Sequence, residues 1–157
     1  MHGRWVAATM FAATAALLAA QPTAATPPTE GSGVGMVLAR SIDSTRDADG
    51  NVIQTRSASG TISGAFDGIY EETVRGVIHK DGIVTFHGLM HFTGAAADCG
   101  VGTVTLEFEG KAVAGLPVSE GRLRTIDEGG SNVPVHVIGT FSETATIFTY
   151  DGEFHCD

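Results

Sequence analysis

The chain has 157 residues, with 18 Asp+Glu against 9 Lys+Arg, a formal net charge of −9 at pH 7 and 43% hydrophobic residues. Its few basic residues are scattered, which argues against nucleic acid as a partner, because binding a polyanion draws on clustered Lys and Arg. One domain accounts for the length, and like-charge repulsion accounts for the acidic balance as a source of solubility.

The N-terminus begins with a short cationic stretch, Met1-His2-Gly3-Arg4, followed by an uncharged, Ala-rich run from Trp5 to Ala20. A membrane-spanning helix needs about 20 apolar residues, whereas a secretory signal needs a shorter apolar region and then small residues. Thr23-Ala24-Ala25 supplies the small residues, so residues 1–25 read as a cleavable signal peptide. Its removal leaves 132 of the 157 residues and, with Arg4 gone, a charge of −10. The expected location is secreted or extracytoplasmic, in the periplasm or cell envelope, with no membrane span after processing. Residues 26–33, rich in Pro, Gly and small polar residues, read as a flexible lead-in.

From Val34 onward, short runs of Val, Ile, Thr and Phe alternate with period two and are broken by Gly and Asp-Gly. That pattern predicts strands and turns and no helix. Asp49-Gly50, Asp67-Gly68 and Asp81-Gly82 each suggest a tight hairpin, since the dipeptide tolerates the positive φ angles that match strand twist. The predicted strands cover 34–46, 52–66, 69–79, 83–93, 102–113, 118–126, 133–141 and 144–155. In the fourth, Val84, Phe86, Met90 and Phe92 share one face; in the fifth, Val104, Leu106 and Phe108 do. One buried and one solvated face per strand, repeated in a meander, predicts an all-β domain over 34–157, an eight-stranded antiparallel up-and-down β-barrel. A two-sheet β-sandwich is the other arrangement that fits.

Gly60-Thr61-Ile62-Ser63-Gly64-Ala65-Phe66-Asp67-Gly68, Phe86-His87-Gly88-Leu89-Met90-His91-Phe92-Thr93-Gly94 and Gly102-Thr103-Val104-Thr105-Leu106-Glu107-Phe108-Glu109-Gly110 are its most distinctive segments. Together with Tyr150-Asp151-Gly152-Glu153-Phe154 they resemble a small bacterial family of unknown function whose barrel is similar to that of allene oxide cyclase. The resemblance covers residues 52–155 and implies an allene oxide cyclase-like, dirigent-like barrel that steers a substrate in its lumen without a cofactor. Where that family carries Leu-Glu-Arg after the fourth-strand glycine, this chain has Leu89-Met90-His91. No catalytic residue carries over.

Cys99 and Cys156 are the two cysteines, and in an exported chain they are expected to form a disulfide. His87 and His91 share a strand face but lie about 13 Å apart along it, too far to ligate one ion whose ligands sit about 2 Å away. Asp47-Ala48-Asp49-Gly50-Asn51 fails the calcium-loop register, because Arg56 falls where a bidentate Glu is required. No metal or cofactor is implied. Glu72 alternates with Tyr70, Val74 and Ile78 on the face expected to point into the barrel. A lumenal carboxylate would have a raised pKa suited to proton transfer, with Tyr70 or Tyr150 as a neighbouring donor; a bulge or a rim position would instead turn it to solvent. The expected ligand-binding residues are therefore Tyr70, Glu72 and Tyr150.

Three functions are open at this point. The first is an exported protein, monomer or small homo-oligomer, that binds a small apolar molecule in its lumen. The second is a cofactor-independent cyclase or isomerase acting there. The third is a non-enzymatic cell-envelope interaction protein using the loop around Gly129-Gly130-Ser131-Asn132.

Overall fold

The computed structural model describes residues 27–126 and 130–156. The expected signal peptide and Gly129 lie outside those residues. Eight strands follow in chain order: β1 Thr29–Ala48, β2 Asn51–Gly64, β3 Phe66–Ile78, β4 Ile83–Ala96, β5 Gly100–Val113, β6 Ser119–Thr125, β7 Val135–Glu143 and β8 Ile147–Cys156. Each pairs antiparallel with the next, and β1 pairs with β8, closing an up-and-down barrel. Among the described residues the helical content is a three-residue 3₁₀ turn at Ala97–Cys99. No described helix is long and apolar enough to cross a membrane.

Two of the three expected Asp-Gly hairpins form. Asp49 and Gly50 take φ of 51° and 77° between β1 and β2, a two-residue turn with both central residues left-handed. Gly82 turns β3 into β4 at φ 84°, with the Asp81 carboxylate accepting from the Ile83 amide at 3.0 Å. Asp67-Gly68 is not a turn: it lies inside β3, and the chain reverses around Gly64, at φ 111°. Gly68 is needed there for close approach, since a Cβ would meet the Thr93 carbonyl across the sheet.

The flexible lead-in is likewise corrected. β1 starts at Thr29 and pairs with Phe154 and its neighbours on β8. Its glycines provide room for rings: a Cβ on Gly31 would collide with Phe154 and one on Gly33 with Tyr150. Further along, Gly60 lies under Tyr70 and Gly110 under Phe86 in the same way. Composition that reads as flexibility is thus the small half of a small-large packing pattern inside a narrow barrel.

The two poles of the barrel differ. At one, Phe66 packs on Phe92, Phe154 and Tyr150 with ring centroids 4.9, 5.4 and 6.0 Å apart. Ile62, Val104 and Val137 complete this sealed end. The Cys99–Cys156 disulfide, with Cα atoms 5.2 Å apart, ties the start of β5 to the end of β8 there. Because β6 is short, β5 is paired with β4 alone over its first residues, and the chain around Ser131 substitutes for a strand on its other side. Ser131 Oγ accepts from the Thr105 amide at 2.9 Å and Asn132 Oδ1 from the Thr103 amide at 2.7 Å. At the other pole the walls part into a cavity.

Candidate functional site

The lumen opens between the β3–β4, β5–β6 and β7–β8 connections into a chamber of about 420 Å³. That volume is in the range of small-molecule sites. Its walls are Val74, Ile78, Val84, Phe86 and Phe108, with Leu116 and Val118 of the β5–β6 loop at the rim. Below it lies an inner chamber of about 40 Å³, bounded by Tyr70, Met90, Leu106, Phe141, Phe148 and Tyr150. Glu72, Phe108 and Glu143 line both chambers and so form the neck between them.

Glu72 reaches the lumen because β3 keeps an unbroken register with both neighbours, pairing with Ala58 on β2 and Met90 on β4. It stands on the inward face with Tyr70 and Val74, as the alternation predicts. Arg40 arrives differently. Val37 pairs with Gly60 and Ala39 with Ser59, leaving Leu38 as a bulge that shifts the parity of β1 and aims Arg40 inward beside Ala58. A second bulge at Asp43 is braced by the Ser41 and Ser57 hydroxyls, which donate to its carboxylate at 2.8 and 2.6 Å. Arg40 Nη2 forms an ion pair with Glu143 Oε1.

Burial chiefly, with the Glu143 carboxylate adding to the rise and Arg40 opposing it, pushes the Glu72 carboxyl up to about 7. A carboxyl with this balance exchanges a proton near neutrality. Tyr70 is 1% exposed, and its phenol is pushed up by burial and by the Glu72 and Glu143 charges. Its Oη has no hydrogen-bond partner among the described residues. Tyr150 is raised chiefly by burial, and its Oη accepts from the Phe66 amide at 2.8 Å. Phe148 separates the two tyrosines, 5.5 Å from Tyr70 and 6.4 Å from Tyr150 by ring centroids. The fold therefore groups Tyr70 with Glu72 and ties the Tyr150 oxygen into the sealed pole.

At the mouth, Gln54 and Arg56 continue the inward face of Ala58 on β2, and Gln54 Oε1 accepts from Arg56 Nε and Nη2 at 3.1 and 2.6 Å. Alternation back from Ile62 leads to both of them, and alternation forward from Val137 leads to Glu143. Arg40 has no such signal, because its direction depends on an unannounced bulge. His87 and His91 are on the outer wall, where His91 Nδ1 lies 3.2 Å from Thr105 Oγ1. Among the described residues no three His, Cys, Asp or Glu side chains converge as a metal site.

No protein-family model and no curated protein matches the chain. Among solved structures it is similar to a protein of unknown function from the DUF3224 family of Shewanella oneidensis MR-1. The TM-score is 0.60 at 14% identity, over 83% of this chain and 98% of that one, so the likeness is one of fold, a small β protein of unknown activity.

Proposed function

We propose that this is an exported barrel that binds a small, largely apolar molecule in the open half of its lumen, with Tyr70 and Glu72 among the residues that meet it. The observation that carries the reading is the chamber of about 420 Å³ walled by Val74, Ile78, Val84, Phe86 and Phe108. Apolar walls supply most of the affinity, and a few converging polar groups supply orientation. Export is supported by the cationic, apolar and small-residue order of residues 1–25 and by the Cys99–Cys156 bridge, which suits an oxidising compartment. Kinship with allene oxide cyclase-like barrels is supported by the glycine and aromatic motifs and by the closure of eight strands.

An apolar fluorophore such as N-phenylnaphthylamine tests this directly. It should brighten on the folded protein at one molecule per chain, and Val74→Trp, whose indole fills the chamber, should abolish the signal while the thermal melt stays cooperative. Equal brightening on the filled variant would remove the lumen as the binding site.

A second reading, cofactor-independent isomerisation or cyclisation, is favoured by Glu72 alone: a lumenal carboxyl whose pKa of about 7 lets it take and return a proton. Turnover that follows a single ionisation near neutrality and disappears in Glu72→Gln is the expected signature. A carbon acid whose exchange in deuterium oxide is unchanged by that substitution would leave the barrel as a binder.

A further inference from the structure

The neck and the inner chamber beneath it combine three features that narrow the chemistry of the occupant. Tyr70 is almost wholly buried on the inward face of β3, and its hydroxyl is the buried side-chain polar atom without a hydrogen-bond partner among the described residues. Leaving a donor unsatisfied is costly, so a native structure that retains one at a cavity has a use for it. Glu72, two residues along the same face, borders both chambers with its carboxyl. The nearby cation, Arg40, is already engaged by Glu143.

An anionic head at this depth would face two carboxyl groups and find the one guanidinium taken. A cationic head would find Glu143 already paired with Arg40 and would have to displace the proton of the Glu72 carboxyl. What this inward face of β3 offers without a compensating loss is a pair of O–H donors, the protonated acid at the neck and the phenol in the inner chamber, inside apolar walls. Two such donors on one inward strand face, both lining the inner chamber, suit an oxygen that accepts two hydrogen bonds.

We propose that the lumen's occupant is a neutral, mostly apolar molecule bearing a carbonyl-type oxygen that reaches past the neck, where the Glu72 carboxyl and, in the inner chamber below it, Tyr70 Oη donate to that oxygen. This inference rests on the lumen-binding reading above and specifies its ligand class. Gln54 and Arg56 at the mouth are the competing polar pair; they would favour a carboxylate held at the rim instead.

A series on one apolar skeleton separates the cases: naphthalene, acetylnaphthalene, naphthoate and naphthylmethylammonium, each titrated against the folded protein by displacement of the bound fluorophore and by calorimetry. The expected result is acetylnaphthalene binding about tenfold or more tighter than naphthalene, the size of a buried hydrogen bond. Tyr70→Phe should erase that preference while naphthalene binds as before. Glu72→Gln, which keeps an N–H donor, should retain part of it. Equal affinity for naphthalene and the ketone would overturn the oxygen cradle and leave lumen binding intact. Tightest binding of naphthoate or of the ammonium would overturn it in favour of a charged ligand. Failure of all four to displace the fluorophore, or failure of the fluorophore to bind, would remove the lumen-binding reading itself.

Discussion

Arg40 on β1 and Glu143 on β7 are paired although their strands are not neighbours. β8 stands between β1 and β7 as far as Ile147, opposite Met36; beyond that point β1 keeps β2 on one side but has no strand on the other, and the ion pair spans the gap. The Val37 amide, donating to the Thr146 carbonyl at 2.9 Å, marks where the backbone ladder ends. A charge pair at a wall opening sets the field at the neck as well as the shape of the mouth.

Removing either partner should move the Glu72 titration in opposite directions. Arg40→Met takes away the charge that opposes the rise, so the Glu72 pKa should climb above its present value of about 7. Glu143→Gln takes away the carboxylate that raises it and frees the guanidinium, so the pKa should fall toward the ordinary range. Carboxyl-carbon NMR shifts followed against pH report both changes.

Stability should decline as pH rises through the weakly acid range. The Glu72 carboxyl titrates near 4.5 in the ordinary case and near 7 in the folded barrel. Between those values the folded chain holds a proton that the unfolded chain has released, so each step up in pH favours unfolding. The contribution is fully present below about pH 4.5 and lost above about pH 7, a total of about 3 kcal/mol at most. Urea midpoints measured from pH 4.5 to 7.5 should carry this slope in the wild type, and Glu72→Gln should flatten it.

The two lumenal tyrosines should respond oppositely to loss of the hydroxyl. Tyr70→Phe deletes an unpartnered polar atom, so stability should hold or rise by up to about 1 kcal/mol. Tyr150→Phe removes the acceptor of the Phe66 amide and should cost about 1–3 kcal/mol. Thermal melts of the two variants, run side by side, decide this.

Reduction of the Cys99–Cys156 bridge should lower stability by about 4 kcal/mol, the chain-entropy value for a loop of 57 residues. Denaturant titrations with and without a thiol reductant, checked against the double Ser variant, measure it.

Much of this architecture can be read from alternation. Val104, Leu106 and Phe108, or Met90 and Phe92, announce an inward face, and continuing the Tyr70 face by two residues leads to Glu72. What escapes is whatever breaks period two without a residue-level mark. Leu38 bulges with no glycine or proline to signal it, and with it goes the direction of Arg40. The Gly31–Gly33 stretch misleads for the converse reason: without knowing which rings lie across the lumen, room for a phenol reads the same as backbone freedom. Asp67-Gly68 fails as a turn because two glycines, Gly64 and Gly68, compete for the reversal, and only the three-dimensional register decides between them.

The plug formed by Phe66, Phe92 and Phe154 makes the lumen a cul-de-sac rather than a tunnel. Whatever enters must leave by the same door, past Leu116, Val118 and Arg56, so uptake and release share one barrier. Under the binding proposed above, residence time would belong to the β5–β6 loop and selectivity to the neck. Substitutions at Leu116 or Val118 should change association and dissociation rates more than the equilibrium, as stopped-flow fluorescence with the apolar fluorophore would measure.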